Sequence, residues 1–387
     1  MKGSITRRGK TSWRLKFDLG RDEKGGRKIA YHTVRGKKAD AQEKLTALLN
    51  SHNKGAYVQP STLTVADHVR ARVDQWEKSG SISPKTAERY RELVENQIVP
   101  HLGTKQVQKL RPMDLEEWHS TLRTSGRKDG KGGVTARTIG HAHKVLSKAL
   151  KEAVKNDLTH KNVAALEGSP KVDSKEITII SAERISALLE QIRGDEYAQA
   201  ITALFTGLRR GELLALRWAN VDLDALPALI RVREALEETK AAGLRVKAPK
   251  TKAGRRDITL PDIVVEALRG HRKRALELRM VLGAGKLPPD ALVFPDIEGD
   301  HVSPRAFSKR WGEKAESIGF GDVTFHALRH THASQLIDAG VDVVTISKRL
   351  GHASPTITLT IYAHLFKKDD SKAAAAINAA LAGSLKP

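Results

Sequence analysis

Five short stretches between Thr206 and Tyr362 carry side chains suited to handling a phosphate: Thr206-Gly207-Leu208-Arg209-Arg210-Gly211-Glu212, the basic segment at Lys252, His326-Ala327-Leu328-Arg329-His330, Leu350-Gly351-His352, and Tyr362 itself. A guanidinium offers two parallel donors to two oxygens of one phosphate. Arg209 and Arg329 can therefore grip such a group from two directions, which the point charge of a lysine does less well. His326 and Arg329 stand at i and i+3, so one helical turn aims both at one target, with His326 as an acid/base candidate or hydrogen-bond donor. His352 can donate to a further non-bridging oxygen, and Glu212, three residues after Arg209, can hold that arginine in place. The phenol of Tyr362 ionises near pH ~10 when unperturbed. It becomes a nucleophile only with cations and a proton acceptor around it.

Each of these residues also has an ordinary reading. An arginine at the N-terminal end of a helix opposes the helix dipole unless an anion is bound nearby, which favours an anion at Arg209. Tyr362 alone reads as half-buried packing beside Ile357 and Ile361; the upstream Leu350-Gly351-His352 turns that reading round. His326 and His330 form an i, i+4 pair of the kind used by zinc helices, but Ala327 stands where the zinc protease motif needs Glu, so no metal is expected. His330 and His332 are expected to pack or cap, with no assigned role. The sequence has no Walker-type glycine loop and no carboxylate cluster for paired magnesium ions, so no cofactor is expected.

The elements that position these residues have to be found in a chain of 387 residues, long enough for two or three cores. Lys and Arg number 67 against 45 Asp and Glu, a formal charge of +22 spread along the chain, which implies a polyanionic partner. The absence of cysteine removes thiol chemistry and fits a reducing compartment, and no apolar run has the length of a signal peptide or membrane span. A cytoplasmic protein without a membrane partner is expected. Trp13, Leu15 and Phe17 alternate with Arg14 and Lys16, and Ile29, Tyr31 and Thr33 alternate after Gly25-Gly26, which predicts a β-hairpin covered by a helix from about Ala39 to Leu49. Arg7, Arg8, Lys10, Arg14 and Lys16 are then free for DNA contact, or form a solvated basic arm. Thr64, Ser83-Pro84, Pro112 and Thr135 open successive amphipathic helices. A polar stretch from Gly168 to Lys175 precedes a mostly helical third unit with a strand at 229–232 and a hairpin formed by 246–250 and 256–260 around a turn at 251–254. The expected division is 1–58, 62–165 and 175–387.

Taken in order, the five stretches resemble the catalytic set of the tyrosine recombinases of the phage-integrase kind, and the whole chain resembles their plan. The resemblance implies a mainly α multidomain protein: a small N-terminal β-sheet with a helix binding arm-type DNA, an all-helical core-binding domain, and a mostly helical catalytic domain with a small sheet. It implies Tyr362 as nucleophile, Arg209, His326, Arg329 and His352 around the phosphate, Glu212 in support, and Lys252 as general acid, with Lys250 a rival. It further implies double-stranded DNA as partner, a homotetramer on DNA, an excision factor, a host DNA-bending protein, and residence at the nucleoid of a bacterial host. Two alternatives remain at this point: a non-catalytic DNA-binding regulator, since 341–352 looks like half a helix-turn-helix, and a type IB topoisomerase.

Overall fold

The computed structural model describes residues 3–21, 25–53, 57–172, 177–249, 251–366 and 371–381. Contacts divide the chain into two compact units, Met1–Ser174 and Lys175–Pro387.

The first unit holds two separate cores. Strands β1 (Gly3–Arg7), β2 (Ser12–Arg21) and β3 (Arg27–Arg35) form an antiparallel sheet in that order, followed by helix α1 (Lys38–Asn53). The period-two alternation of β2 sends Leu15 and Phe17 into the core with Ala41 and Leu45 of α1. The opposite face carries Arg14 and Lys16, paired in register with Thr33 and Tyr31. The sheet has one strand more than the predicted hairpin. In β1, Ile5 is the only large apolar residue, too little alternation to announce a strand, yet Ile5 pairs with Leu15 and Arg7 with Trp13.

The second core is helical. Helix α2 (Val65–Lys78) starts at Thr64, whose hydroxyl accepts from the Asp67 amide at 3.2 Å. Helix α3 (Pro84–Leu93) starts at Ser83 with proline at its first position and runs through a π-turn into α4 (Val99–Leu102). Helices α5 (Pro112–Ser125), α6 (Ala136–Lys155) and α7 (Val163–Glu167) complete the bundle. Val69, Val73, Trp76, Trp118, Leu146 and Leu150 are buried in it, and Trp118 finds its polar partner at the Gln97 carbonyl, 2.7 Å away.

The second unit opens with α8 (Ala182–Gln191) and α9 (Gly194–Thr206), whose Ala198, Ile201 and Leu204 are fully buried. A short α10 (Arg210–Leu214) leads to strands β4 (Val221–Asp222), β5 (Leu229–Val232), β6 (Ala235–Thr239), β7 (Gly243–Lys247) and β8 (Arg256–Thr259). Helices α11 (Asp262–Val281), α12 (Pro304–Ser317), α13 (Phe325–Asp338), α14 (Val343–Leu350), α15 (Pro355–Tyr362) and α16 (Ser371–Leu381) follow. The hairpin predicted from 246–250 and 256–260 is corrected here. Val246 pairs with Leu236 in a β6–β7 ribbon, whereas Arg256 pairs with Val232 in the sheet β4-β5-β8. Pro249 has no N–H for a ladder, and Lys252–Gly254 forms a 3₁₀ turn leading into β8. Among the described residues no helix is long and apolar enough to cross a membrane.

Candidate active site

Two helices of the second unit end on glycines in the left-handed conformation: α9 on Gly207 (φ 66°) and α14 on Gly351 (φ 67°). Both glycines are also tightly enclosed. A Cβ on Gly207 would lie 2.7 Å from the His332 ring, and one on Gly351 would lie 2.7 Å from the Arg256 guanidinium. Helix ends leave carbonyls without intrahelical partners, and here arginines take them up. Arg329 of α13 donates to Gly207 O at 2.5 Å and to Leu350 O at 2.8 Å, and Arg209 donates to Gly351 O at 2.9 Å. The Thr-Gly-Leu-Arg and Leu-Gly-His stretches are thus the two halves of a cross-braced clamp.

Glu212 fastens the other side. Glu212 is only 4% exposed, and its carboxylate accepts from the Arg209 amide at 2.9 Å, from the Arg209 guanidinium at 2.8 Å and from both terminal nitrogens of Arg256 at 3.2 and 2.8 Å. Burial works to raise its pKa, but Arg256 and Arg209 outweigh that and hold it below the usual carboxylate value. Arg256 also donates to Arg349 O at 2.7 Å, so the strand after the Lys252 turn is bolted to the end of α14. Sequence reasoning missed Arg256, which stands among several neighbouring cations with nothing to single it out.

Arg209, Glu212, His326, Arg329 and His352 line one pocket of about 530 Å³. Arg329 is 3% exposed, and burial, then the neighbouring Arg209 charge, push its guanidinium down to about 9, still protonated at neutral pH. Three of its five N–H donors are placed on described groups, the third on His352 Nε2 at 3.0 Å. A guanidinium can only donate, so His352 Nε2 accepts and Nδ1–H donates to Thr358 Oγ1 at 2.8 Å. Thr358 lies one turn before Tyr362 on α15, which couples His352 to the helix of the phenol; this i, i+4 pair was the available signal, and Thr358 went unnoticed. Desolvation in the pocket wall, then the nearby His330, Arg329, Arg209 and Arg210, push His326 down to about 4.

Tyr362 is 1% exposed and packs with Ala333, Ile337, Ile346 and Leu350. It does not line the pocket, and burial raises its phenol to about 12, against the lowering effect of Arg329. Its hydroxyl meets His330 Nδ1 at 2.7 Å. His330 had been expected only to pack or cap. It is the second residue the sequence did not disclose, because its partner lies 32 positions away. His332 has a different neighbour, accepting from Arg349 at 3.1 Å. Lys252 is exposed on its turn and is not on the pocket wall, whereas Lys247, Pro249 and Thr251 are. Lys250 lies outside the described residues. In the N-terminal sheet Arg7, Arg8, Lys10 and Lys16 are exposed and Arg14 is half-buried against the Tyr31 ring.

The model of the phage integrase family matches residues 179–369, and that of the phage integrase N-terminal SAM-like domain matches residues 70–123. This chain belongs to the phage integrase family. Among its integrase relatives, a "Tyrosine recombinase XerC-like" protein of Caldanaerobacter subterraneus subsp. tengcongensis is 26% identical, over 97% of this chain and 98% of the relative. An "Integrase" of Streptomyces ambofaciens is 28% identical over 90% of this chain and 88% of its own. The fold is similar to that of the Tn1549 transposon integrase in complex with a circular intermediate DNA, with a TM-score of 0.67, 22% identity, and coverage of 82% of this chain and 99% of that one. The chain is therefore an enzyme of the tyrosine recombinase class, mainly helical with small sheets.

The histidines of this integrase site make its stability depend on pH. His352 is pushed down to about 4 by burial and then Arg329, and His332 to about 3 by burial and then Arg349, from an ordinary 6.5. Their folded values lie below the unfolded one, so the unfolded chain binds more protons as pH falls. Stability present above pH ~6.5 is lost progressively on acidification towards pH 4. The expected result is a thermal midpoint that falls steadily from pH 7 to pH 4.5, with a weaker fall in His332→Asn; a flat profile over that range contradicts it.

Proposed function

We propose that this chain cuts and rejoins DNA at specific sites by attack of Tyr362 on a backbone phosphate, and thereby integrates or excises a mobile element. The observation that carries the reading is the cross-braced pair Arg209 and Arg329 at one cationic pocket, with Arg329 bonded to His352 and His352 bonded to the helix of Tyr362. Arginines fixed by carbonyls before substrate arrives stabilise charge that develops on non-bridging oxygens without reorganising at the moment of reaction. The phenol oxygen forms a bond to phosphorus as the bond to the 5′ oxygen breaks, and the leaving oxygen takes a proton from a lysine. The resulting 3′-phosphotyrosine link keeps the energy of the phosphodiester, so the 5′ hydroxyl of another strand reverses the step and seals the exchange. Such a cycle consumes no nucleotide.

The same reading assigns 1–58 to arm-type DNA, 62–165 to core DNA and 175–387 to catalysis, supported by the separate cores and by the exposed Arg7, Arg8, Lys10 and Lys16. Four copies acting on two duplexes, with an excision factor and a host DNA-bending protein, complete it. Ile377 and Leu381 of α16 are 58% and 42% exposed, as a helix that docks on a neighbouring copy requires.

The test uses a pool of nicked duplexes of randomised sequence, denatured in detergent after incubation. DNA enriched in sequence and attached to the peptide containing Tyr362 is expected. Absence of any covalent product leaves a DNA-binding regulator, and adducts without sequence enrichment point to a topoisomerase. The trapped duplex then serves as substrate. Lys252 on its exposed turn is assigned the role of general acid, with Lys250 as its rival. Lys252→Ala should slow cleavage by ~10²–10⁴-fold and recover on a duplex with sulfur at the 5′ bridging position, a leaving group that needs no proton. Lys250→Ala should stay within a few-fold of the parent; the reverse pattern gives the role to Lys250.

A further inference from the structure

We infer that His330 is the general base that takes the proton of the Tyr362 hydroxyl as the phenol attacks phosphorus. The inference rests on the proposed reading of Tyr362 as nucleophile. A phenol that is 1% exposed must place its single hydrogen on an acceptor, and among the described residues the polar atom within bonding distance is His330 Nδ1, at 2.7 Å. The imidazole is held neutral by its burial and by the adjacent Arg329 charge, and the phenol's need for an acceptor selects the tautomer with hydrogen on Nε2, which leaves Nδ1 a lone pair to receive that hydrogen. Its ring packs edge-on to Tyr362 at 5.7 Å and, on the same helix, to His326 at 4.6 Å. His326 lines the pocket, so His330 touches both the nucleophile and the wall of the site that receives the phosphate.

The charged and titratable groups that face His330 are His326 and Arg329 from α13 and Tyr362 from α15. Arg349 of α14 bonds instead to His332. Beside Arg329 an imidazolium is disfavoured while the pocket is empty. Once a phosphate anion lies on Arg329, the repulsion is offset and His330 can hold the proton. Deprotonation of the phenol is thereby tied to the presence of DNA, and an unloaded chain keeps its nucleophile protonated and buried. In the forward step the proton moves from Tyr362 Oη to His330 Nδ1, the Oη–P bond forms, the bond from phosphorus to the 5′ oxygen breaks, and that oxygen is protonated by the general acid. In the sealing step the 5′ hydroxyl gives its proton back to the general acid as its oxygen attacks phosphorus, the Oη–P bond breaks, and His330 returns its proton to the departing phenolate.

The experiment measures single-turnover adduct formation on the trapped duplex from pH 5 to 9.5 for the parent chain, His330→Asn, His330→Ala and Tyr362→Phe. Asparagine places a neutral polar atom near the position of Nδ1 and keeps the hydrogen bond, but cannot take the proton. The parent rate should show an acid limb that ends below pH ~6.5. His330→Asn should retain DNA affinity, lose 10²- to 10⁴-fold in rate at neutral pH, about the worth of a general base, and rise with pH where the parent is flat. Parent-like rates and pH profile in His330→Asn would overturn the inference and leave a positioning role. Faster cleavage in either His330 variant would also overturn it, making His330 a latch that withholds the phenol. Adducts in Tyr362→Phe, or none in the parent chain, would instead bring down the reading of Tyr362 on which the inference rests.

Discussion

Tyr362→Phe is expected to bind the trapped duplex as tightly as the parent chain and to form no covalent adduct, a loss of at least ~10⁴-fold in cleavage. The exchange removes one oxygen and leaves the ring that packs on Ala333, Ile337, Ile346 and Leu350. Its structural cost is confined to the bond with His330, whose Nδ1 loses its partner, about 1–3 kcal/mol for a buried group left unsatisfied. DNA affinity is expected to persist because the hydroxyl is buried and the pocket wall is made by other residues. The check is paired: an electrophoretic shift of equal midpoint, and a detergent-resistant band present in one chain and absent in the other. A band of any strength in the phenylalanine variant moves the nucleophile elsewhere. Because Arg329 and Tyr362 serve one site within one chain, a mixture of the Tyr362→Phe and Arg329→Lys variants is expected to form adduct no faster than Arg329→Lys alone.

Much of this site was legible in the sequence because its chemistry is local in the chain. Arg209 and Glu212 are one turn apart, as are His326 and Arg329, and each pair announces itself by spacing. The two glycines could be seen as part of short strings, but not why they are there: only the folded chain shows the Gly207 carbonyl receiving Arg329 across 122 positions and the Gly351 carbonyl receiving Arg209 across 142. The contributions that escaped are those that depend on distant partners. His330 is one of three histidines within seven residues and acquires its distinction from Tyr362, on another helix. Arg256 is one basic residue among several until Glu212, 44 positions earlier, selects it. The fold followed the same logic. Helices with a hydroxyl at the N-cap and an amphipathic period were predictable, whereas β1 had too few apolar residues to be seen. The pairing of 246–250 with 256–260 was wrong because strand partners are chosen by the tertiary structure, not by proximity in the chain.

Arg329→Lys should reduce cleavage by ~10²–10³-fold, the cost of losing one preorganised donor group from a charge-stabilising site, while DNA affinity changes little, since one phosphate contact among many is altered. The guanidinium already organises the site before substrate arrives. It braces α9 through Gly207, α14 through Leu350, and α15 indirectly through His352 and Thr358. An ammonium has three donors on a flexible stem and cannot reproduce this planar fork. Lysine keeps the charge, so a drop in rate reports lost geometry, whereas Arg329→Ala also empties a buried position and leaves two carbonyls without their donor. The alanine variant should therefore unfold at a lower temperature than the lysine variant. If lysine cleaves as fast as arginine, charge alone suffices at this position. If both variants lose DNA affinity in proportion to rate, Arg329 serves the structure of the site and not its transition state.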